Sequence, residues 1–244
     1  FYRCQLGAQT VPATYALIGD SHAGMYAQPF DQALSQNDLG MAYASDGWCV
    51  PLLNFYTDDF RKNNQVCHTH MSKELKNIAI NPQIHTVFLA AEWTHYITGQ
   101  RYGSSVSRYH YSPVNASNTS SQLALIYQQP WTNNKPAFAQ ALSATLKLFT
   151  DAHKRIVMIA PVPEYSFSVP QRMSQLSFRE LNLNQLNQEL THYKKQHQIF
   201  FEMIQAIKQQ THSNVVLWQV SDQLCQPKQS KCHPYQEPAL PLYI

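Results

Sequence analysis

Residues 19–22, Gly-Asp-Ser-His, bring a carboxylate, a hydroxyl nucleophile and an imidazole into one short stretch. The apolar run Ala16-Leu17-Ile18 ends at them, and small residues that suit a helix follow. One of only 7 glycines in the chain stands directly before the polar triplet. A glycine between a strand and a helix permits a tight turn and the close approach of another backbone. Asp20 or Ser21 then falls at the helix N-cap region, where free N–H groups and the positive end of the helix dipole converge. Two readings are open. Asp20 and Ser21 cap the helix, a role these residue types fill constantly, or Ser21 is a nucleophile whose own N–H helps bind the oxyanion it generates. The stretch is not the Gly-x-Ser-x-Gly elbow of the α/β-hydrolases, because Ala23 occupies the second glycine position.

Other polar groups of interest end apolar runs in the same way: Ser45-Asp46-Gly47, Ala91-Glu92-Trp93 and Pro161-Val162-Pro163-Glu164. The runs before them read as buried strands: "ATYALIGDS", "LGMAYASDG", "HTVFLAAEW" and "RIVMIAPVPE", with "NVVLWQV" as a fifth. Between them lie helical patterns. "HAGMYAQPFDQALSQN" carries a proline near its middle. "SKELKNIAI" has Ser72 as a plausible N-cap and Leu75, Ile78 and Ala79 on one face. "KPAFAQALSATLKLFTDAHK" is a third helix. The longest helical pattern runs through residues 178–211, with Leu183, Leu186, Leu190, Tyr193, Ile204 and Ile207 in one stripe. Residues 100–135 are polar and read as an irregular insertion, with sequons at Asn115 and Asn118 that short chance matches also produce. Five strands alternating with helices predict a single α/β domain over 1–244, a three-layer α/β/α sandwich with a mainly parallel sheet. Ligands of such sheets bind outside the carboxyl ends of the strands. The candidate groups all fall there, so they belong to one site.

Composition bounds the function. The chain has 244 residues, 44% hydrophobic, and a formal charge of +3, enough for one sizeable core. The basic residues are scattered, which excludes a nucleic-acid reading. No apolar run approaches the roughly 18 residues of a membrane span, no charged-then-apolar signal segment is present in the sequence, and it begins on Phe1 rather than Met. The expectation is an excised or processed piece of a longer protein. Five cysteines sit in loop-like stretches. Cys225–Cys232 and Cys49–Cys67 are the expected disulfides, the first enclosing a short polar loop whose closure is worth roughly 2.5 kcal/mol. Cys4 is left over. Cys67, His68 and His70 in "CHTHM" have no second cluster at ligand spacing, so no metal and no cofactor is expected.

"LIGDSHAGM" resembles the first signature block of the SGNH (GDSL-type) hydrolases. The histidine after the serine resembles one subgroup: the extracytoplasmic SGNH domain at the C-terminus of multi-spanning membrane acyltransferases that O-acetylate bacterial surface glycans. "CQLG", "CVPLL", "FLAAEWTHY", "IAPVPE" and the late cysteine pair followed by "PLY" extend the likeness over nearly the whole chain. The resemblance implies a Ser–His–Asp triad in which Ser21 attacks an acyl carbonyl and a histidine takes its proton, the roles known from unrelated triads. In the family both partners come from an Asp-x-x-His block just after the "PLY"-like stretch. Here "PLYI" ends the sequence and no Asp follows Asp222. The catalytic Asp and His are therefore expected outside this chain, which alone should fold but be catalytically crippled. His22 is a poor substitute, since consecutive helical side chains diverge by about 100°, and His233 reads more simply as a loop histidine.

The same likeness assigns Gly47 to the oxyanion site and puts Trp93 where simpler members carry an Asn. Trp93 either offers its indole N–H to substrate or oxyanion, or packs the strand end. Gly19, Asp20 and His22 support the nucleophile. The implied function is transfer of an acetyl group, passed on by a membrane-embedded acyltransferase domain of the same polypeptide, to a hydroxyl of a cell-envelope glycan at the periplasmic face. Tyr96, Tyr102, Tyr109, Tyr111, Tyr127 and Trp131 suit stacking on sugar rings or simple loop packing. A carbohydrate acetylesterase and a non-catalytic glycan-binding module are the alternatives.

Overall fold

Ala16, Leu17 and Ile18 are wholly buried, because the strand they form is covered on both faces. Ala16 and Ile18 join one core cluster and Leu17 another, as the two-residue alternation of a strand requires. The computed structural model describes residues 2–57, 64–99, 109–111, 134–211, 215–226, 230–236 and 240–241. Its main elements are β1 (Tyr2–Gly7), β2 (Ala13–Gly19), α1 (Ser21–Ser35), β3 (Gly40–Ser45), α2 (Asn64–Ile80), β4 (Thr86–Ala90), α3 (Trp93–Thr98), α4 (Asn134–Asp151), β5 (Arg155–Ile159), α5 (Val169–Phe178), α6 (Leu190–Gln196), α7 (Gln198–Thr211) and β6 (Val215–Trp218).

The central sheet has six strands in the order β1-β3-β2-β4-β5-β6. All neighbours are parallel except β1, which runs antiparallel to β3. The expected α/β sandwich is therefore present, with six strands in place of five. The additional strand, "YRCQLG", exposes Arg3 and Cys4 and buries Leu6, the pattern of an edge strand, which lacks the continuous apolar run of a central one. On one face α2, α4 and α7 form the larger core, including Leu75, Phe138, Leu142, Phe149 and Phe200. On the other, α1 packs Ala23 and Leu34 against Leu17 and Met41. The helix runs through Pro29 without ending.

Several helix boundaries differ from the sequence expectation. Ser72 does not cap α2: the helix starts at Asn64, and the Ser72 hydroxyl, wholly buried, accepts a hydrogen bond from the Asn54 N–H at 3.1 Å. The long helical pattern is broken into a 3-10 turn (Leu183–Leu186), α6 and α7. Leu186 belongs to a separate small core with Val169, Met173 and Leu176 of α5, so one apolar stripe serves two destinations. Helix α5 was not anticipated, although Ser168 caps it by accepting from the Gln171 N–H and Pro170 stands in its first turn, a recognisable start. The Cys225–Cys232 disulfide is present, Cys49 is disulfide-bonded, and Cys4 is free and exposed. The side chain of Cys67 lies outside the described residues. So do the two sequons and most of 100–135, of which Tyr109–Tyr111 pairs with Phe55–Thr57.

Candidate active site

The β2–α1 junction begins with a steric demand. Gly19 lies opposite Ser45 on one side and Ala90 on the other. A Cβ there would stand 1.8 Å from the Ala90 carbonyl oxygen and 2.8 Å from the Ala23 Cβ. The glycine is there because β4 and α1 both close on its Cα.

Asp20 follows as the N-cap of α1 and is 2% exposed. One carboxylate oxygen accepts from the His22 N–H at 2.8 Å. The other accepts from the Glu92 N–H at 3.0 Å and the Tyr96 hydroxyl at 3.1 Å. Burial pushes its pKa up, against the opposing pull of His22 and of these three donors. Asp20 is thus a clamp between the ends of β2 and β4. The β4 end is itself sharply bent: at Glu92 φ is −73° and ψ 61°, and the Trp93 N–H donates back to the Ala91 carbonyl at 2.8 Å, an inverse γ-turn.

Ser21, next along, is the first residue of α1 and is exposed. Neither its N–H nor its hydroxyl has a hydrogen-bond partner among the described residues, as expected for the first helical position. Gly47 stands beside it in the topology. The Asp46 N–H donates to the Gly19 carbonyl at 3.2 Å, so the turn after β3 is tied to the residue two before Ser21. The Gly47 N–H is also unpartnered among the described residues, and nothing lies within 4 Å of the place its Cβ would occupy. Two backbone N–H groups and a hydroxyl without partners among the described residues therefore lie in adjoining turns at the carboxyl edge of the sheet.

Trp93 is not part of this convergence. Its indole is wholly buried, stacks on Phe200 at 6.0 Å and donates its N–H to the Ile159 carbonyl at 2.8 Å. A donor with one hydrogen already committed to the core has none for an oxyanion. The strand-end packing role is the one it fills. Tyr96 is likewise no sugar platform, being 1% exposed and bonded to Asp20. The remaining aromatics of 100–135 have side chains outside the described residues.

Two features escaped the sequence. Trp48, beside Gly47, is 39% exposed and holds the left-handed conformation with φ 68°, which non-glycine residues adopt at a cost. His197, wholly buried between α6 and α7, bonds through Nδ1 to the Thr94 hydroxyl at 2.7 Å. Burial holds its ring down to about 4, the Val162 carbonyl opposes, and the nearby His22 and His192 add to the depression. It is therefore neutral. His233 lies in the hairpin after Cys232, its N–H on the Leu224 carbonyl. Among the described residues no imidazole is bonded to the Ser21 hydroxyl, and no group of metal-ligating side chains is found.

A parallel sheet with an exposed serine at the first strand-to-helix junction defines the class, an SGNH-type α/β domain. The family of SGNH domains fused to AT3 domains matches residues 2–244, and the chain belongs to it. The family groups the chain with acyl-transferring or hydrolytic enzymes, and its fusion partner fits an acyltransferase membrane domain in the same polypeptide. A comparison with curated proteins gave no match. No helix among the described residues is long and apolar enough to cross a membrane.

Proposed function

We propose that this domain receives an acetyl group on Ser21 and passes it to a hydroxyl of a cell-envelope glycan at the extracytoplasmic face. The observation that carries the reading is the exposed Ser21 hydroxyl at the carboxyl edge of the sheet, unpartnered among the described residues, with the similarly unpartnered N–H groups of Ser21 and Gly47 in adjoining turns. The Ser21 oxygen attacks the acetyl carbonyl, and negative charge collects on the carbonyl oxygen. Those two donors take it up, and one such donor is worth about 3–4 kcal/mol. The adduct collapses to the Ser21 ester as the bond to the donor's leaving group breaks; the acceptor hydroxyl then attacks that ester and releases Ser21. The proton of Ser21 needs a base. The base is the histidine of the Asp-x-x-His block that the family resemblance puts after a "PLY"-like stretch. Asp20 is not that acid, since its oxygens are engaged by Glu92, Tyr96 and His22.

The experiment is made on the full-length protein. Incubation with p-nitrophenyl acetate should release p-nitrophenol and leave an acetyl adduct on the peptide containing Ser21, seen by mass spectrometry. Ser21→Ala should abolish the adduct and acetylation of the cell's glycan together. An unchanged rate in Ser21→Ala would refute the reading.

A further inference from the structure

Beyond the end of β5 the chain builds a groove. A cavity of about 430 Å³ is lined by Phe167, Arg172, Gln175 and Gln185, among others. A second, of about 280 Å³, shares Phe167, Gln185 and Leu186 with it and extends past Glu164, Gln188 and His192. The two adjoin across Phe167, Gln185 and Leu186, and the larger is within the size range of ligand sites.

Its position relates it to Ser21. Strand β5 is two places from β2 in the sheet, roughly 10 Å at about 4.8 Å per strand, and the groove opens five residues past the end of β5. His192 of the groove and His22 beside Ser21 both add to the depression of the His197 ring.

The lining is mixed, with both charge signs in Glu164, Glu189 and Arg172, but amides and aromatics make up its larger part. Phe167 is 42% exposed and packs at 5.6 Å against Tyr165, giving an aromatic surface for the C–H face of a sugar ring. Around it are side-chain amides, each both donor and acceptor, the match for hydroxyls that are the same. Gln188 donates to the Glu164 carbonyl at 3.3 Å and Asn187 to Asn184 Oδ1 at 3.3 Å. The carbonyl oxygens of Asn187 and Gln188 are buried and lack a donor among the described residues, so the amides of Gln171, Gln175 and Gln185 are the ones left to meet a ligand in the groove. The groove has too few cations for a polyanion, and its amide lining does not suit a lipid chain.

We infer that the groove from Glu164 to Gln175 holds the acceptor, a short stretch of hydroxyl-rich polysaccharide, with Phe167 as its stacking platform. This rests on the acyl-transfer reading for its meaning but not for its test.

The probe is lipid-free polysaccharide released from the envelope of the producing cell and deacetylated by mild alkali. In full-length Ser21→Ala, which does no chemistry, Phe167→Ala and Gln185→Ala should each weaken binding of that polysaccharide about tenfold by calorimetry. With Ser21 intact they should raise the acceptor KM similarly and leave p-nitrophenyl acetate hydrolysis within twofold. Phe178→Ala, removing an aromatic 91% exposed at the far end of α5 and outside the groove, should change neither. Equal affinity in all variants, or an equal loss in Phe178→Ala, overturns the assignment. Loss of the Ser21 adduct with groove-dependent binding retained would overturn only the acyl-transfer reading.

Discussion

Replacing Gly19 with alanine puts a methyl group where the Ala90 carbonyl oxygen already is. The built Cβ lies 1.8 Å from that oxygen, whereas a carbon–oxygen contact settles at about 3.3 Å. Strands β2 and β4 would have to part by roughly 1.5 Å, and neither is free to move. Ala90 is held in register against Gly19, and the Ala23 Cβ, 2.8 Å away, blocks the other direction. Overpacking of a well-filled site costs about 1–3 kcal/mol. Opening the ladder also stretches the bond from the Glu92 N–H to Asp20, worth about 1.5–3 kcal/mol for a charged acceptor. The expected loss is therefore about 2.5–6 kcal/mol, or a Tm lower by at least about 5 °C for a domain of this size. Gly47→Ala is the matched control, because its Cβ would meet nothing within 4 Å, and its stability should stay within about 0.5 kcal/mol of the parent. Urea unfolding followed by circular dichroism compares the two. A Gly19→Ala loss below 1 kcal/mol, or one no larger than that of Gly47→Ala, would refute the claim that β4 dictates the glycine.

Trp93→Phe should cost about 2–4 kcal/mol by orphaning the Ile159 carbonyl and thinning the core, while the folded variant still acetylates Ser21 at the parent rate. A hundredfold slower acylation at unchanged stability would restore the indole to the oxyanion site. Acid should weaken the fold through His68 and His197, both held down to about 4 by burial. Each is neutral when folded and titrates near 6.5 when unfolded, so their stabilisation is complete above pH 6.5 and falls away towards pH 4, by about 3 kcal/mol apiece. Urea midpoints taken from pH 7 to pH 4 should decline, and His68→Phe should flatten the decline. Reduction should add two hydrogens to the peptide spanning Cys225 and Cys232 and cost roughly 2.5 kcal/mol. Cys4, free and exposed, should alkylate without reductant.

The elements that read clearly were those whose own residues carry the cause. Ala16-Leu17-Ile18 is apolar without a break because both faces of β2 are covered, and the same holds for Val87, Leu89 and Ala90 of β4. Strand β1 lacked that mark, since an edge strand needs one buried face at most. The stripe through Leu183, Leu186 and Leu190 kept helical spacing across a break because α5 buries Leu186 in a core of its own. Nothing local in "LNLNQLNQEL" announces that second core. The cap of α5 was visible as Ser168 followed by Pro170, and the helix could have been found from it.

The site divides in the same way. That Ser21 opens a helix after a glycine follows from four adjacent residues, and the free N–H groups at that position follow from helix geometry alone. The partners of Asp20 do not: Glu92 and Tyr96 lie 72 and 76 positions away and come near only because β4 is the neighbour of β2. Trp93 shows the consequence most plainly. At the end of an apolar strand a tryptophan can turn outward to the ligand edge or inward to the helices, and the residues beside it are compatible with both. Phe138, Phe200 and the Ile159 carbonyl decide it, and they come from α4, α7 and β5. The indole turned inward because the core offered its N–H an acceptor and its ring a stacking partner. Of the two roles the sequence left open for Trp93, packing of the strand end is the one its buried indole fills.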